Sequence, residues 1–270
     1  MARTTLLEDL AGGVLTVTLD RPRQRNAFNL QMWDDLRDAL RDAQETDAVH
    51  AVIVTGAPGA FTAGQDLGEM SKPPAGAGPD RGFGPFIDRL TRFDKPLLAA
   101  VNGVGVGIGV TLLLHCDIVY IAEGARLRAP FVTLGVVPEA GSTFLLPSVI
   151  GWQRAAELLF TAEWIDARRA VEIGLASRVL SPAELLPAIR ERAALIASHP
   201  LGSLRHTKRL LLATRSDAVR AALDREHRVF AQRIGSPENR EALRAFFEKR
   251  APSFTGISPE DRAPHGGEGS

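Results

Sequence analysis

Cysteine is nearly absent from this chain. A single residue, Cys116, excludes an internal disulfide and suits a reducing compartment. Neither sign of charge is in excess, since 32 basic residues balance 32 acidic ones. That balance excludes nucleic acid or an anionic membrane as the expected main partner. The N-terminal MARTTLLEDLAGG lacks the apolar run of a signal peptide, so a cytoplasmic enzyme is expected. Common catalytic signatures are missing too. There is no HExxH, no paired CxxC and no Walker lysine loop, and Ser142 in AGSTF lacks the GxSxG elbow. The six histidines are scattered. His115-Cys116 lies deep in apolar sequence and reads as core rather than metal site, so no metal is expected.

What is present can fill one large core, or one core with an appendage: 270 residues, 45% of them hydrophobic. The stretch around which the rest is arranged is Lys95 to Asp117, KPLLAAVNGVGVGIGVTLLLHCD. It opens as a β-type apolar run, passes through Gly103, Gly105, Gly107 and Gly109, and continues into an apolar helix-like segment. Alternate glycines let a backbone approach a ligand closely, because no Cβ intervenes. A helix starting just beyond them aims N–H groups at that space, which suits an oxygen developing negative charge. A membrane span is the competing reading of Leu97 to Leu114, but alternate glycines make a poor helix. The glycine spacing also fails the dinucleotide fingerprint, leaving a packed strand-to-helix turn without ligand as the remaining alternative.

The chain alternates strand and helix signals up to about residue 180. Val14 to Leu19 and His50 to Thr55 predict strands, and Asn29 predicts the cap of a helix with Leu30, Trp33, Leu36 and Leu40 on its apolar face. Ser71 to Pro85 holds eight Gly or Pro in fifteen residues and predicts a mobile loop, either a lid or a surface insertion. A short helix is expected from Phe86 to Phe93, then strands over Asp117 to Ala122 and Arg126 to Phe131. Thr133 to Ile150 reads as a loop feeding a helix. Ser181-Pro182-Ala183-Glu184 is a capping box that opens an all-helical stretch to Arg250. Three regions are expected: residues 1–195 as an α/β core, 196–252 as a helical appendage, and 253–270 as a disordered tail. Within the appendage, His206-Thr207-Lys208-Arg209 reads as a solvated helix face.

Among the acids, Glu139 stands out. It follows Pro138 and precedes Ala140-Gly141-Ser142-Thr143, so it lies at a helix start in a small-residue loop. Alone, that placement also fits a glutamate interacting with the helix dipole. Asp66 and Glu69, in FTAGQDLGEM, either bind ligand or cap local turns, and Asp117 reads as structural.

Taken together, LDRPRQRNAF, FTAGQDLGEM, KPLLAAVNGVGVGIGVTLLLHCDIVYIAE, LGVVPEAGSTFLLPSVIG, LFTAEWIDARRAVEIGLASRV and FFEKRAPSF resemble the crotonase (enoyl-CoA hydratase/isomerase) superfamily from Val14 to Phe254. The resemblance implies a core of ββα units wound into a superhelix, followed by helices that build homotrimers, often paired into hexamers. It implies an acyl-CoA thioester substrate, with no cofactor beyond the coenzyme A of that substrate. The backbone N–H groups of Gln65 and Ile108 would form an oxyanion hole. Ala63, Asp66 and Leu67 would line the adenine and pantetheine path, and Arg23 and Arg25 match the region meeting the CoA phosphates. The two glutamates of the family's hydratases correspond here to Thr111 and Phe131, which cannot exchange a proton as carboxylates do. Glu139 instead matches the single acid of the Δ3,Δ2-enoyl-CoA isomerase branch. The resemblance therefore implies an isomerase with Glu139 as its base and an apolar wall including Phe131 and Leu134. The rival readings are another crotonase reaction, hydration or thioester hydrolysis, and a non-catalytic acyl-CoA- or RNA-binding member.

Overall fold

The computed structural model describes residues 3–71 and 78–257. In chain order these form β1 (Leu6–Ala11), β2 (Val14–Leu19), α1 (Leu30–Glu45), β3 (Ala51–Gly56), α2 (Leu67–Ser71), α3 (Phe83–Thr91) and β4 (Leu97–Val101). There follow β5 (Gly105–Val106), α4 (Ile108–Thr111), β6 (Ile118–Ala122), β7 (Arg126–Arg128), α5 (Ser142–Ile150), α6 (Trp152–Thr161) and β8 (Ile165–Asp166). The chain then runs through α7 (Ala167–Glu172), β9 (Arg178–Leu180), α8 (Pro182–Ala197), α9 (Leu201–Ala213), α10 (Ser216–Arg233) and α11 (Pro237–Phe247).

The main sheet has the order β1-β2-β3-β4-β6-β9. Only the β1–β2 hairpin is antiparallel, and every other pair runs parallel. Parallel strands need both faces covered, which is why AVIVTG of β3 and LLAAV of β4 are buried at every position. On one side α1 buries Met32, Trp33, Leu36, Ala39 and Leu40. Its first turn is capped twice, by Asn29 Oδ1 accepting from Met32 N (3.0 Å) and by Glu69 Oε2 accepting from Leu30 N (2.7 Å). Helix α8 packs against β2, β3, β4 and β6, burying Leu185, Ile189 and Ala193. It opens on the expected box, in which Ser181 Oγ donates to Glu184 Oε2 (2.6 Å). A smaller sheet, β5-β7-β8, stands beside the main one. The glycine stretch therefore divides into β4, β5, α4 and a 3₁₀ turn over Leu112–His115. Among the described residues, no helix is long and apolar enough to cross a membrane.

Four sequence expectations change. Strand β1 was not anticipated, because LLEDLA is an edge strand exposed at all but its first residue and carries no alternating pattern. Helix α3 starts at Phe83, inside the segment read as a loop, and residues 72–77 of that segment lie outside the described part. The predicted strand over 126–131 covers only Arg126–Arg128, because Pro130 and the 3₁₀ turn Val132–Leu134 end it. Lys208 is not on a solvated face. It is buried, and its ammonium donates to Asp117 Oδ2 and the Lys95 carbonyl, both at 2.8 Å. Beside it Arg205 and Arg209 converge on buried Asp94, at 3.0 and 2.7 Å, so the basic side chains of α9 tie that helix to the sheet layer. Residues 258–270 of the expected tail lie outside the described residues.

Lys95 closes a gap that apolar packing cannot close. Fully buried, its ammonium donates to the carbonyls of Ala43, Thr46 and Val49 at 2.7 to 2.8 Å, using all three protons at the end of α1. Lys95→Met fills the volume but leaves the Ala43 and Val49 carbonyls without a donor, while Thr46 O keeps Val49 N at 3.0 Å. The expected loss is about 2–4 kcal/mol of unfolding free energy, read from urea melts; an unchanged midpoint would contradict this account of α1.

Candidate active site

Two backbone segments run side by side at one edge of the core. Thr62 and Gly105 form a parallel bridge, with Thr62 N donating to Val104 O and Val106 N to Thr62 O, both at 3.0 Å. Their closeness demands small residues. A Cβ on Gly64 (φ 89°) would lie 2.7 Å from the Val106 carbonyl oxygen, and one on Gly109 would lie 2.9 Å from Thr62 Cγ2. Three residues beyond the bridge on each segment stand Gln65 and Ile108. Among the described residues neither main-chain N–H meets an acceptor. Phe28 flanks the first segment, its N–H donating to Gly64 O (2.8 Å) while its carbonyl accepts from Asp66 N (2.9 Å). The Gln65 side chain is drawn away from this edge by accepting from Trp33 Nε1 at 3.0 Å.

One helical turn past Ile108 is Thr111, on the same face of α4. Its hydroxyl donates to Glu139 Oε1 at 2.7 Å. The other carboxyl oxygen, Oε2, is out of solvent contact and has no hydrogen-bond partner among the described residues. Burial pushes Glu139 up to about 8; the Thr111 bond pulls the other way, and the nearby Glu226 carboxylate adds to the rise. Such a group is an acid or base suited to near-neutral pH, on a half-buried residue whose Oε2 is shielded from solvent. Phe131 is buried and opens the 3₁₀ turn leading toward Glu139, and Leu134 at the end of that turn packs on the core.

The remaining expected residues gather unevenly. Arg25 (φ 50°) accepts from Ala63 N through its carbonyl at 2.9 Å, so the two segments named for CoA contact adjoin. The side chains of Arg23 and Arg25 are exposed. Asp66 is already engaged: its Oδ2 accepts both terminal nitrogens of Arg21 at 3.1 Å, and its Oδ1 accepts from Gly68 N, just inside α2, which Leu67 opens. Toward a ligand it offers main chain rather than a free carboxylate. Arg21 was missed in the sequence, although it stands in the LDRP stretch directly before the arginines that were named. Thr111 was noted only as a missing glutamate, and its role as donor to Glu139 needed the fold.

A family profile for Enoyl-CoA hydratase/isomerase matches residues 9–257. The chain belongs to the enoyl-CoA hydratase/isomerase family. Among the relatives of this crotonase is 1,2-epoxyphenylacetyl-CoA isomerase of Escherichia coli K12, 35% identical over 93% of this chain and 98% of the relative. Another is 2,3-dehydroadipyl-CoA hydratase of the same strain, 34% identical over 90% of this chain and 95% of the relative. An enoyl-CoA hydratase/isomerase structure from Pseudoalteromonas atlantica T6c has a TM-score of 0.90 at 37% identity, covering 93% of this chain and 100% of that one. The structure of Pseudomonas aeruginosa OdaA has a TM-score of 0.86 at 38% identity, covering 90% of this chain and 98% of that one. The crotonase fold and an acyl-CoA enzyme follow from membership.

A stability test follows from the Glu139 carboxyl. Its folded value, near 8, lies above the ordinary carboxylate value of 4.5. Between those two values the folded chain keeps a proton that the unfolded chain has lost, so stability falls as pH rises through this window. A glutamine does not titrate. Glu139→Gln should therefore melt higher than wild type by roughly 5 °C at pH 8, with the gap growing from pH 5 and levelling above 8. A gap independent of pH in calorimetry would refute the raised value.

Proposed function

We propose that this crotonase moves the double bond of a 3-enoyl-CoA thioester into conjugation, giving the 2-trans-enoyl-CoA. The observation that supports this most is the half-buried Glu139 carboxyl, with one oxygen held by Thr111 and the other, shielded from solvent, without a partner among the described residues. Hydration would require a second group to place and activate water. The two positions matching the hydratase glutamates hold a threonine already bonded to Glu139 and a buried phenylalanine. A 1,3-proton shift needs only one carboxylate.

The thioester oxygen would sit between the N–H groups of Gln65 and Ile108. Glu139 as carboxylate takes a proton from C2, and the electron pair spreads over C2, C1 and the thioester oxygen as a dienolate conjugated with C3=C4. Glu139, now protonated, returns the proton to C4. The double bond settles between C2 and C3, and the carbonyl re-forms. Each oxyanion donor is worth about 3 kcal/mol in the barrier, so the glycine-built edge matters as much as the base. An apolar wall of Phe131 and Leu134 keeps water from the dienolate and keeps the carboxylate basic. Arg23, Arg25, Ala63, Asp66 and Leu67 would carry the CoA moiety, the arginines through its phosphates. Exposed Leu210, Leu211, Phe246 and Phe247 on α9 and α11 support a homotrimer or a hexamer of paired trimers. Burial of Lys208 leaves little of the basic stripe that RNA binding would require.

The relatives carry both isomerase and hydratase names, so products decide. Offered 3-enoyl-CoA and 2-enoyl-CoA thioesters of graded length, the enzyme should convert the former without taking up water. Its kcat/KM should rise with pH up to about 8, because the base works only when ionised. Glu139→Gln should lower kcat by roughly 10³-fold with KM nearly unchanged. Retained turnover in that variant removes Glu139 from the reaction, and hydration of the 2-enoyl substrate by wild type replaces the isomerase reading with the hydratase one.

A further inference from the structure

The turn that carries Glu139 is held in an unfavourable backbone conformation by a residue from the C-terminal helices. Ala140 (φ 64°) and Gly141 (φ 72°) are successive left-handed residues, and for alanine that conformation costs about 1 kcal/mol or more. Something outside the turn must fix it. Helix α5, which starts at Ser142, has no side-chain cap of its own. Glu226 of α10 supplies one from 85 residues further along: Oε2 accepts from Gly141 N at 2.6 Å. Its Oε1 accepts from Thr143 N at 2.8 Å and from Thr143 Oγ1 at 2.6 Å. From the other side the ring of His115 bonds the Ala140 carbonyl at 2.8 Å, so Nε2 must carry the proton.

We propose that Glu226 is a positioning residue for Glu139, fixing the Ala140-Gly141 turn and placing a carboxylate behind the base. This rests on Glu139 being the base of the isomerisation proposed above. The two carboxylates divide their roles by hydrogen bonding. Glu226 meets three donors, two of them main-chain N–H groups, an arrangement that favours its ionised form. Glu139 meets one donor, Thr111, so the proton of the pair goes to Glu139. The other charged groups in reach do not cancel this. Burial pushes Glu226 above the ordinary carboxylate range, while its bonds to Thr143 and Gly141 and the nearby Arg225 on α10 work to keep it charged. His115 is held down to about 4 by burial, with Arg215 and Lys208 acting in the same direction, and is neutral at working pH. Both Glu226 oxygens are taken up by the turn and are not free to place a water, and its carboxylate makes Glu139 more basic.

Two variants separate position from charge. Glu226→Gln keeps the shape but faces an amide group toward main-chain donors and removes the charge. It should lower kcat about tenfold or more, leave KM within about twofold, and move the acid limb of the kcat/KM profile to lower pH by about one unit. Glu226→Asp keeps the charge and shortens the reach, so kcat should fall while the limb stays. It also carries the test if the glutamine variant does not fold. An infrared titration identifies the Glu139 carboxyl band by its loss in Glu139→Gln. The midpoint of that band should fall in Glu226→Gln whether or not 3-enoyl-CoA is the substrate, so failure of the isomerase reading and failure of this one are distinguishable. An unmoved band and limb in Glu226→Gln, or a Glu226→Asp variant as fast as wild type, would overturn the proposal.

Discussion

Keeping a carboxyl group away from water with a single hydrogen bond is unfavourable, and the fold bears that cost at Glu139. The Thr111 hydroxyl satisfies one oxygen, the other has no donor among the described residues, and the group is left holding its proton to about pH 8. Such a carboxyl persists only where the surroundings hold it more firmly than it resists. Here they do so through covalent neighbours rather than through the side chain. Glu226 grips the main chain two and four residues downstream, at Gly141 and Thr143. His115 grips the carbonyl between, at Ala140. The carboxyl is fixed without being neutralised by a cation.

The opposite edge of the site obeys a different constraint. Among the described residues the N–H groups of Gln65 and Ile108 are unpaired, and the segments carrying them are bridged just upstream, at Thr62 and Gly105. The bridge is possible because Gly64 and Gly109 leave no Cβ in the gap. Small residues thus place the two N–H groups, and packing places the Glu139 carboxyl. Thr111 joins the two halves, one turn from Ile108 along α4 and bonded to Glu139 across from it.

Much of this was legible in the sequence wherever the cause was local. Buried strands such as β3 and β6 read as apolar runs, Asn29 and Ser181 read as caps, and the alternate glycines read as a close approach of backbone. Glu139 was visible as an acid among small residues, and the family resemblance raised its interest. Features that need partners far apart in the chain were not legible. Glu226 is one of many acids on a helical segment until α10 lies against α5. Lys208 looks like part of a solvated stripe until Asp117 and the Lys95 carbonyl are brought beside it. Strand β1 hid because an exposed edge needs no apolar alternation, and β5 and β8 because two residues are too few to show a pattern. The site is therefore half written in motifs and half in long-range contacts that fix the motifs' geometry.

In the proposed reaction one carboxyl, its Oε2 shielded from solvent, both removes and returns the proton. A 3-enoyl-CoA carrying deuterium at C2, converted in ordinary water, tests this most directly by mass and proton spectra of the product. A single shielded carboxyl should deliver a measurable share of the deuterium to C4 of the same molecule, with no solvent oxygen incorporated. Complete washout of the label in single-turnover conditions, or uptake of oxygen from water, would contradict it.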